Sequence, residues 1–248
     1  REGMSHVLPR CDAYIAPSHT TVRRLVELLP SMSTDDFHVI AHGTDLEREK
    51  LAVAPPKEGP AKIVCPGNLN IAKGLHLIGK LMELNAEHGQ PFEFHFLGGV
   101  PGHFKTRTHG GVFHGSYERN ECLEKLARIS PSFSLLASVC EETFSYTLSE
   151  AWAAGLPVFA SDRGALKERI EHQGGGWLFD PENPLAFFSG MLAVLRTPGS
   201  WHAEVEIINR IDLMSINREA ELTTKIFRRC FPGQRTESEP ASDLRSTR

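Results

Sequence analysis

Two carboxylates, with seven residues between them, occur where the stretch EETFSYTLSEAWAAG predicts an alanine-rich helix beginning near Tyr146. Glu142 lies in the loop before this helix and Glu150 lies in its first turn or two, so they do not share a helix face. Both can still point into one cleft, where carboxylate oxygens accept hydrogen bonds from sugar hydroxyls. Glu150 suits a ribose diol, and Glu142 suits the hydroxyls of a second sugar. Backbone amides around Ser145, Tyr146 and Thr147 would face a phosphate between them.

A loop that contains glycine and lysine precedes another predicted helix, in the stretch PGNLNIAKGLHLIGKL. Gly67 follows a buried-strand pattern, and Lys73 stands just before the helix. Backbone amides at a helix N-terminus carry partial positive charge and a lysine adds a full one, so this loop could hold a diphosphate. Its spacing is neither that of a Walker A loop nor that of a Gly-x-Gly-x-x-Gly fingerprint. Each motif taken alone has a simpler alternative. Lys73 could be an ordinary surface lysine in a loop. Glu142 and Glu150 could form an acidic N-terminal helix turn, which the helix macrodipole favours.

The histidines offer a different chemistry. His103, His109 and His114 lie near one another in PGHFKTRTHGGVFH, and zinc ligands at such intervals are conceivable. No cysteine lies close to them, so we expect no metal site there. His42, which precedes Gly43, either borders a ligand or has a structural role.

The composition restricts the possible partners. The chain has 248 residues, 40% of them hydrophobic, and a net charge of -4, so no global electrostatic field favours nucleic acid or an anionic membrane.

The five cysteines are widely spaced and form no Cys-x-x-Cys pair, which fits a reducing cytosol. No signal region or membrane span is predicted, so we expect a cytoplasmic protein with at most peripheral membrane contact. Because it begins with Arg1 close to a predicted strand, we also expect it to be the tail of a longer protein.

The elements that position these residues alternate between strand and helix. Short apolar runs precede helical patterns almost throughout, beginning with a strand at 11–17 and a helix at 19–30, and the main unit starts at about residue 61. Ser18 and Asn183 are candidate N-caps. This order predicts an α/β fold with a Rossmann-like, doubly wound parallel sheet. Ligands of such a sheet bind at the carboxyl ends of its strands, where the loops described above lie.

These segments occur in an order that resembles one enzyme family. ETFSYTLSEAWAAGLPVFASDRGALKE is similar to the E-x7-E segment of retaining glycosyltransferases of the GT-B fold, family GT4. Further segments resemble that family's motifs in the same order and at similar spacing, from about residue 11 to residue 230: VIAHGTD, GNLNIAKG, HFLGG and GGGWLFDPENPLAF.

The resemblance implies a donor site that binds a nucleotide-diphosphate sugar. It implies that Lys73 neutralises the diphosphate, that Glu142 contacts the transferred sugar, and that both are catalytic. It further implies that Glu150 binds the ribose and that amides near Phe144 to Thr147 hold the phosphate. The remaining implied donor-binding residues are Gly43, Gly67, Asn68, Ser145 and Tyr146. The family retains the anomeric configuration, takes the nucleotide-diphosphate sugar as its substrate and has no obligatory metal, so the resemblance implies that no cofactor is needed.

The implied domain scheme is the C-terminal half of a GT-B enzyme. Residues 1–45 would be a remnant of the N-terminal acceptor domain, residues 46–210 the donor-binding domain, residues 211–233 a C-terminal helix and residues 234–248 a disordered tail. An N-terminal domain or partner chain would be needed to bind the acceptor, an unknown sugar or lipid-linked molecule. A role in polysaccharide biosynthesis would fit this chemistry.

Two departures from the family pattern leave other functions open. Asn68 stands where the family usually has an arginine, and Ser145 stands where a glycine is common. One alternative is a binding or interaction module that has lost turnover. Another is a different GT-B enzyme, such as a phosphorylase or a nucleotide-sugar epimerase.

Overall fold

The predicted alternation of strands and helices is confirmed by the computed structural model, which describes residue 8, residues 11–107 and residues 110–231. The predicted tail, 234–248, lies outside the described residues. The strands have these bounds: β1 Tyr14–Ala16, β2 Phe37–Val39, β3 Ala61–Pro66, β4 Phe92–Leu97, β5 Gly111–Phe113, β6 Phe133–Leu136, β7 Val158–Ser161 and β8 Gly176–Phe179.

Helices follow most of the strands, and both predicted caps are formed. The Ser18 side chain accepts a hydrogen bond from the amide of Thr21, and the Asn183 side chain accepts one from the amide of Ala186. The helices have these bounds: α1 His19–Leu28, α2 Leu75–Glu87, α3 Gly102–Arg107, α4 Cys122–Ile129, α5 Tyr146–Ala153, α6 Gly164–Gln173, α7 Pro184–Leu195, α8 Pro198–Ile208 and α9 Ile216–Cys230.

Six strands form the main sheet, in the order β5-β4-β3-β6-β7-β8, and every neighbouring pair is parallel. The chain runs outward from β3 to β5, then returns to the other side of β3 with β6 and runs outward again to β8. Ile63 of β3 pairs with Phe133 of β6 at this reversal. The loops leaving β3 and β6 therefore lie next to each other at the carboxyl edge of the sheet, where doubly wound folds bind their ligands.

Both faces of the sheet are covered, which explains why the strands are continuous apolar runs. On one face, Ile63 and Phe133 pack with α2 and α7. On the other face, Val64 and Leu136 pack with α4, α5 and α6. All four side chains are buried, so the strand ends that carry the candidate loops are fixed from both sides.

The N-terminal segment contacts the main body at Thr143 and Glu141, in the loop between β6 and α5, and at Glu168 of α6. β1 and β2 form a separate parallel pair, with α1 between them in the chain. Glu168 of α6 accepts hydrogen bonds from the amides of His19 (2.8 Å) and Thr20 (2.6 Å), and thereby caps α1. Burial opposes ionisation of Glu168, but a hydrogen bond from the Thr20 hydroxyl (2.7 Å) and the two amide bonds together prevail, so the pKa of its carboxyl is lowered.

Two helices differ from the sequence expectation. α3 forms in a segment where no helical pattern was detectable in the sequence. The final helix, expected over 211–233, begins at Ile216 because the Ser215 side chain caps it by accepting from the amide of Arg218. None of the described helices combines the length and the apolar character that crossing a bilayer requires.

Gly74 locks the loop after β3 onto the loop after β6. It has a left-handed backbone with φ of 81°, and a Cβ at this position would lie 1.9 Å from the carbonyl oxygen of Ala137. Beside it, the amide of Val139 donates to the carbonyl of Ala72 at 2.9 Å. Only a residue without a side chain permits this approach, so the position of the neighbouring Lys73 depends on it.

We expect Gly74→Ala to destabilise the fold far more than Gly89→Ala, a matched change at φ of 77° with no atom within 4 Å. Gly89→Ala should cost about 1–2 kcal/mol for the left-handed backbone alone. Gly74→Ala should cost at least about 3 kcal/mol, because it adds a clash with backbone. Urea-induced unfolding measures both, and equal costs would contradict the close packing of the two loops.

Candidate functional site

The two residues predicted to be catalytic lie together at the carboxyl edge of the sheet. Lys73, just before α2, is placed by a hydrogen bond from its own amide to Oδ1 of Asn70 (3.0 Å). Its Nζ lies 2.7 Å from Oε1 of Glu142, which belongs to the loop between β6 and α5. The structure thus joins the predicted phosphate-binding and sugar-binding residues as an ion pair.

Glu142 is held more firmly than its partner. Its side chain is only 9% exposed, whereas that of Lys73 is 41% exposed. Ser138, directly after β6, donates to the same Oε1 atom, and the backbone carbonyl of Glu142 accepts from the amide of Ala165 at 2.9 Å. The cavity enclosed beside the pair is about 20 Å³. A diphosphate would therefore need the exposed Lys73 side chain, rather than Glu142, to move.

The neutral side chain of Asn68 joins two loops and brings no charge to the site. Its Oδ1 accepts a hydrogen bond from the amide of Gly99 (2.8 Å), which joins the loops after β3 and β4. Gly67 has φ of 89°, and its carbonyl oxygen would lie 2.1 Å from a Cβ at Gly98. Gly67, Asn68, Lys73, Glu142 and Thr147 line the same small cavity.

The loop before α5 ends in a strained residue. Ser145 has φ of 69° and ψ of 88°, a left-handed conformation that a glycine would adopt without strain. Within the described residues, the amides of Ser145, Tyr146 and Thr147 donate to no protein oxygen. These free amides at a helix N-terminus, close to Lys73, can bind an anion.

Glu150 is buried and bonded to a residue that sequence reasoning did not identify. It is 6% exposed, and its Oε2 accepts a hydrogen bond of 2.8 Å from the hydroxyl of Tyr117, in the loop after β5. Burial raises the pKa of Glu150, while the Tyr117 bond and the charge of Arg119 oppose that rise. Burial likewise raises the pKa of the Tyr117 hydroxyl. Glu150, the residue predicted to bind the ribose, thus already accepts a hydrogen bond through its Oε2 atom.

Gly43 and His42 contact the C-terminal helix. The amide of Gly43 donates to Oε2 of Glu219 in α9 (2.7 Å), and a Cβ at Gly43 would lie 2.6 Å from the backbone of Ile216. His42 Nδ1 lies 3.0 Å from Oε1 of Glu219, and its ring stacks on Tyr146 with centroids 5.3 Å apart. Gly43 therefore packs against α9, whereas His42 connects α9 to the first residue of α5.

Arg169 of α6 is a second site residue that sequence reasoning missed. It bonds the carbonyls of Phe144 and Ser145 from below the loop. Its position in the sequence could have indicated a special role. Arg169 lies on the same core-facing stripe of α6 as Ala165 and Leu166, where an apolar residue would be expected. Tyr117 and Ser138 offered a weaker signal, as polar residues in loops that follow strands.

A larger cavity, of about 340 Å³, lies on the far side of this loop. Phe144 and Arg169 line it together with His19 of the N-terminal segment and Met214 of the segment before α9. It is separate from the small cavity that Lys73 and Glu142 line. The candidate site is therefore identified by its converging charged groups and not by the volume of its cavity.

Among the residues that the structure describes, no group of three or more potential metal ligands occurs. His109 lies outside the described residues. His114 contacts His95, with 2.9 Å between its Nε2 and the Nδ1 of His95.

The comparison that decides the family is a profile match. Residues 60–197, more than half of the chain, match the profile of the family described as Glycosyl transferases group 1. The chain belongs to this group 1 glycosyltransferase family. The match spans every strand of the main sheet and both loops of the candidate site.

Solved structures share the fold of this group 1 family member. A sucrose-phosphate synthase from Thermosynechococcus elongatus superposes with a TM-score of 0.71 at 19% identity, covering 93% of this chain and 61% of that one. The apo form of the lipopolysaccharide outer core galactosyltransferase WaaB gives 0.67 at 17% identity, covering 88% and 62%. A glycosyltransferase from Rickettsia africae gives 0.68 at 16% identity, covering 94% and 67%.

These superpositions identify the fold as that of GT-B glycosyltransferase domains, as the sequence predicted. The chain spans only about three fifths of the length of the first two structures named. No curated protein sequence matches the chain significantly.

For this family member, we expect Tyr117→Phe to raise the pKa of Glu150, because the change removes a donor to the ionised carboxylate. The loss of stability should be about 1–3 kcal/mol at a pH where Glu150 is ionised. It should shrink at low pH, since protonated Glu150 no longer carries the unpaired charge. Urea unfolding of both proteins as a function of pH measures this.

The control for this experiment is the same change made in a Glu150→Gln background. There the cost of Tyr117→Phe should not vary with pH, because the side chain at position 150 can no longer ionise. A pH-dependent cost that persisted in the Glu150→Gln background would assign the effect to another group.

Proposed function

We propose that this chain is the donor-binding part of a retaining GT4 glycosyltransferase, which transfers a hexose from a nucleotide-diphosphate sugar to an acceptor. The observation that carries the proposal is the convergence of Lys73, Glu142 and the free amides of Ser145 to Thr147 at the reversal point of the sheet. This supplies cationic and neutral donors for a diphosphate beside a fixed carboxylate for a sugar.

The proposed chemistry is stabilisation of the leaving group. As the bond to the sugar breaks, negative charge grows on the departing diphosphate, and positioned donors facing that charge lower the barrier. Lys73 would leave Glu142 to pair with the diphosphate, and the amides at the start of α5 would hold the phosphate. Glu142, still fixed by Ser138, would then accept hydrogen bonds from sugar hydroxyls. These groups require no metal ion.

Glu150 would bind the ribose. Its Oε2 already accepts from Tyr117, so a ribose hydroxyl would bond the remaining acceptor sites of the carboxylate. Its raised pKa does not prevent this role, because either protonation state keeps an accepting oxygen.

Two structural neighbours support a nucleotide donor. A structure of the Anabaena protein HepE contains UDP and glucose, and superposes with a TM-score of 0.69 at 16% identity. The catalytic domain of starch synthase IV from Arabidopsis thaliana is bound to ADP and acarbose, with a TM-score of 0.63. Their folds match over 91% and 88% of this chain.

We extend the proposal to the domain scheme. Residues 46–210 would bind the donor in the cytoplasm, residues 1–45 would belong to an acceptor domain, and α9 would cross back to that domain. The acceptor itself, a sugar or a lipid-linked molecule, would be held by that domain or by a partner chain.

A second candidate is a donor-binding module without turnover. It is favoured by Asn68, whose side chain is engaged with Gly99 and brings no charge to the site. A module of this kind would bind the nucleotide sugar but leave it intact.

The test is calorimetric titration of the chain with UDP, GDP, ADP and their sugar conjugates. One nucleoside diphosphate should bind, and Lys73→Met should weaken it by about tenfold or more, since a charge-assisted hydrogen bond is worth about 1.5–3 kcal/mol. Lys80→Met is the matched control, because Lys80 lies on the exposed face of α2 and pairs with Glu83. Equal effects of the two changes would contradict the proposed site.

Turnover separates the two candidates. Slow hydrolysis of the bound nucleotide sugar, detected as free sugar of retained anomeric configuration, would support the enzyme. Tight binding with an intact donor, even when the chain is joined to an acceptor domain, would support the module.

A further inference from the structure

The guanidinium of Arg169 lies directly beneath the loop that precedes α5. Its Nη1 donates to the carbonyl oxygens of Phe144 (3.1 Å) and Ser145 (2.9 Å), and its Nη2 donates to Oγ of Ser149 (2.9 Å). The same group lies 4.2 Å from the ring centroid of Phe144 and 5.0 Å from that of Trp152. Arg169 is therefore fixed by contacts that all come from α5 and its preceding loop.

The two carbonyls bonded by Arg169 belong to the peptide groups whose N–H groups are those of Ser145 and Tyr146. A peptide group polarises as a unit, so a cation bonded to its oxygen strengthens its N–H as a donor. In the described part of the chain neither N–H has a protein acceptor. The positive charge of Arg169 thus acts through these two peptide groups on the N–H groups that are expected to face an anion.

The charge is present at neutral pH. Burial lowers the pKa of Arg169 to about 10, and the carboxylates of Glu142 and Glu168 oppose that change. Among the described residues, the acceptors bonded to Arg169 are neutral oxygens. Lys73, by contrast, is paired with the carboxylate of Glu142. The positive charge of Arg169 is therefore less neutralised by its direct partners than that of Lys73.

We propose that Arg169 is a positioning residue for the donor diphosphate. By bonding both carbonyls it holds Ser145 in its left-handed conformation and strengthens the amides that face the phosphate. It also supplies, through the backbone, positive charge at a site where Asn68 brings none. This inference rests on the proposed function, because it requires that a diphosphate binds at the start of α5.

The test compares diphosphates with nucleosides. Calorimetry on the full chain would measure binding of UDP, ADP and GDP and of uridine, adenosine and guanosine, for the wild type, Arg169→Met and Arg169→Lys. Arg169→Met should weaken the tightest diphosphate by about tenfold and its nucleoside by less than about twofold, because only the diphosphate meets the affected amides. Arg169→Lys, which keeps the charge, should give an intermediate loss.

The control is Arg48→Met. Arg48 also donates to two backbone carbonyls, those of Ile208 and Ile211, but at the end of α8. It should change stability without changing the ratio of diphosphate to nucleoside affinity. Circular dichroism confirms that each variant is folded, and if Arg169→Met is not, Arg169→Lys decides alone.

The outcomes separate this inference from the function on which it rests. A wild type that binds no diphosphate overturns the proposed function and this inference with it. A wild type that binds diphosphate, with Arg169 variants that weaken diphosphate and nucleoside equally or not at all, overturns only the role of Arg169.

Discussion

The arrangement of the site depends on the contact between the loops after β3 and β6. Gly74 lies against the carbonyl of Ala137, and the neighbouring backbone of Ala72 bonds that of Val139. This contact is possible because β3 and β6 are adjacent at the centre of the sheet, where the direction of the strand order reverses. It brings Lys73 within reach of Glu142, so that residues far apart in the chain form one ion pair.

The ionisable groups around this contact are held in three different ways. Lys73 and Glu142 neutralise each other at the mouth of the cleft, where the lysine remains exposed enough to exchange partners. Glu150 is buried beside Tyr117 and binds protons more readily than an exposed carboxylate. Arg169 remains charged beneath the backbone and bonds only neutral oxygens there, among the described residues. An anion bound at the amides of the loop before α5 would therefore gain Lys73 only by displacing Glu142.

The helices that carry the site also hold both ends of the described chain. α5 begins at Tyr146, whose ring stacks on His42, and His42 is bonded to Glu219 of α9. α6 carries Arg169 beneath the site loop and Glu168, which caps α1 of the N-terminal segment. A movement of either end relative to the sheet would thus act on residues adjacent to the candidate phosphate site.

The sequence by itself determined the fold class, the alternating order of strands and helices, the loops that carry Lys73 and Glu142, and the helix that carries Glu150. These features are local, because strand and helix periodicity, caps and glycine-lysine loops can each be read within one short stretch. α3 was missed because its one and a half turns form too short a pattern to detect.

Only the tertiary structure decided the partners of those residues. The bond from Tyr117 to Glu150, the ion pair of Lys73 with Glu142 and the position of Arg169 beneath Ser145 all join separate strand-loop-helix units. Such contacts depend on which strands are neighbours and on how closely their loops approach. No local pattern encodes those distances, since they result from packing the whole sheet between its two layers of helices.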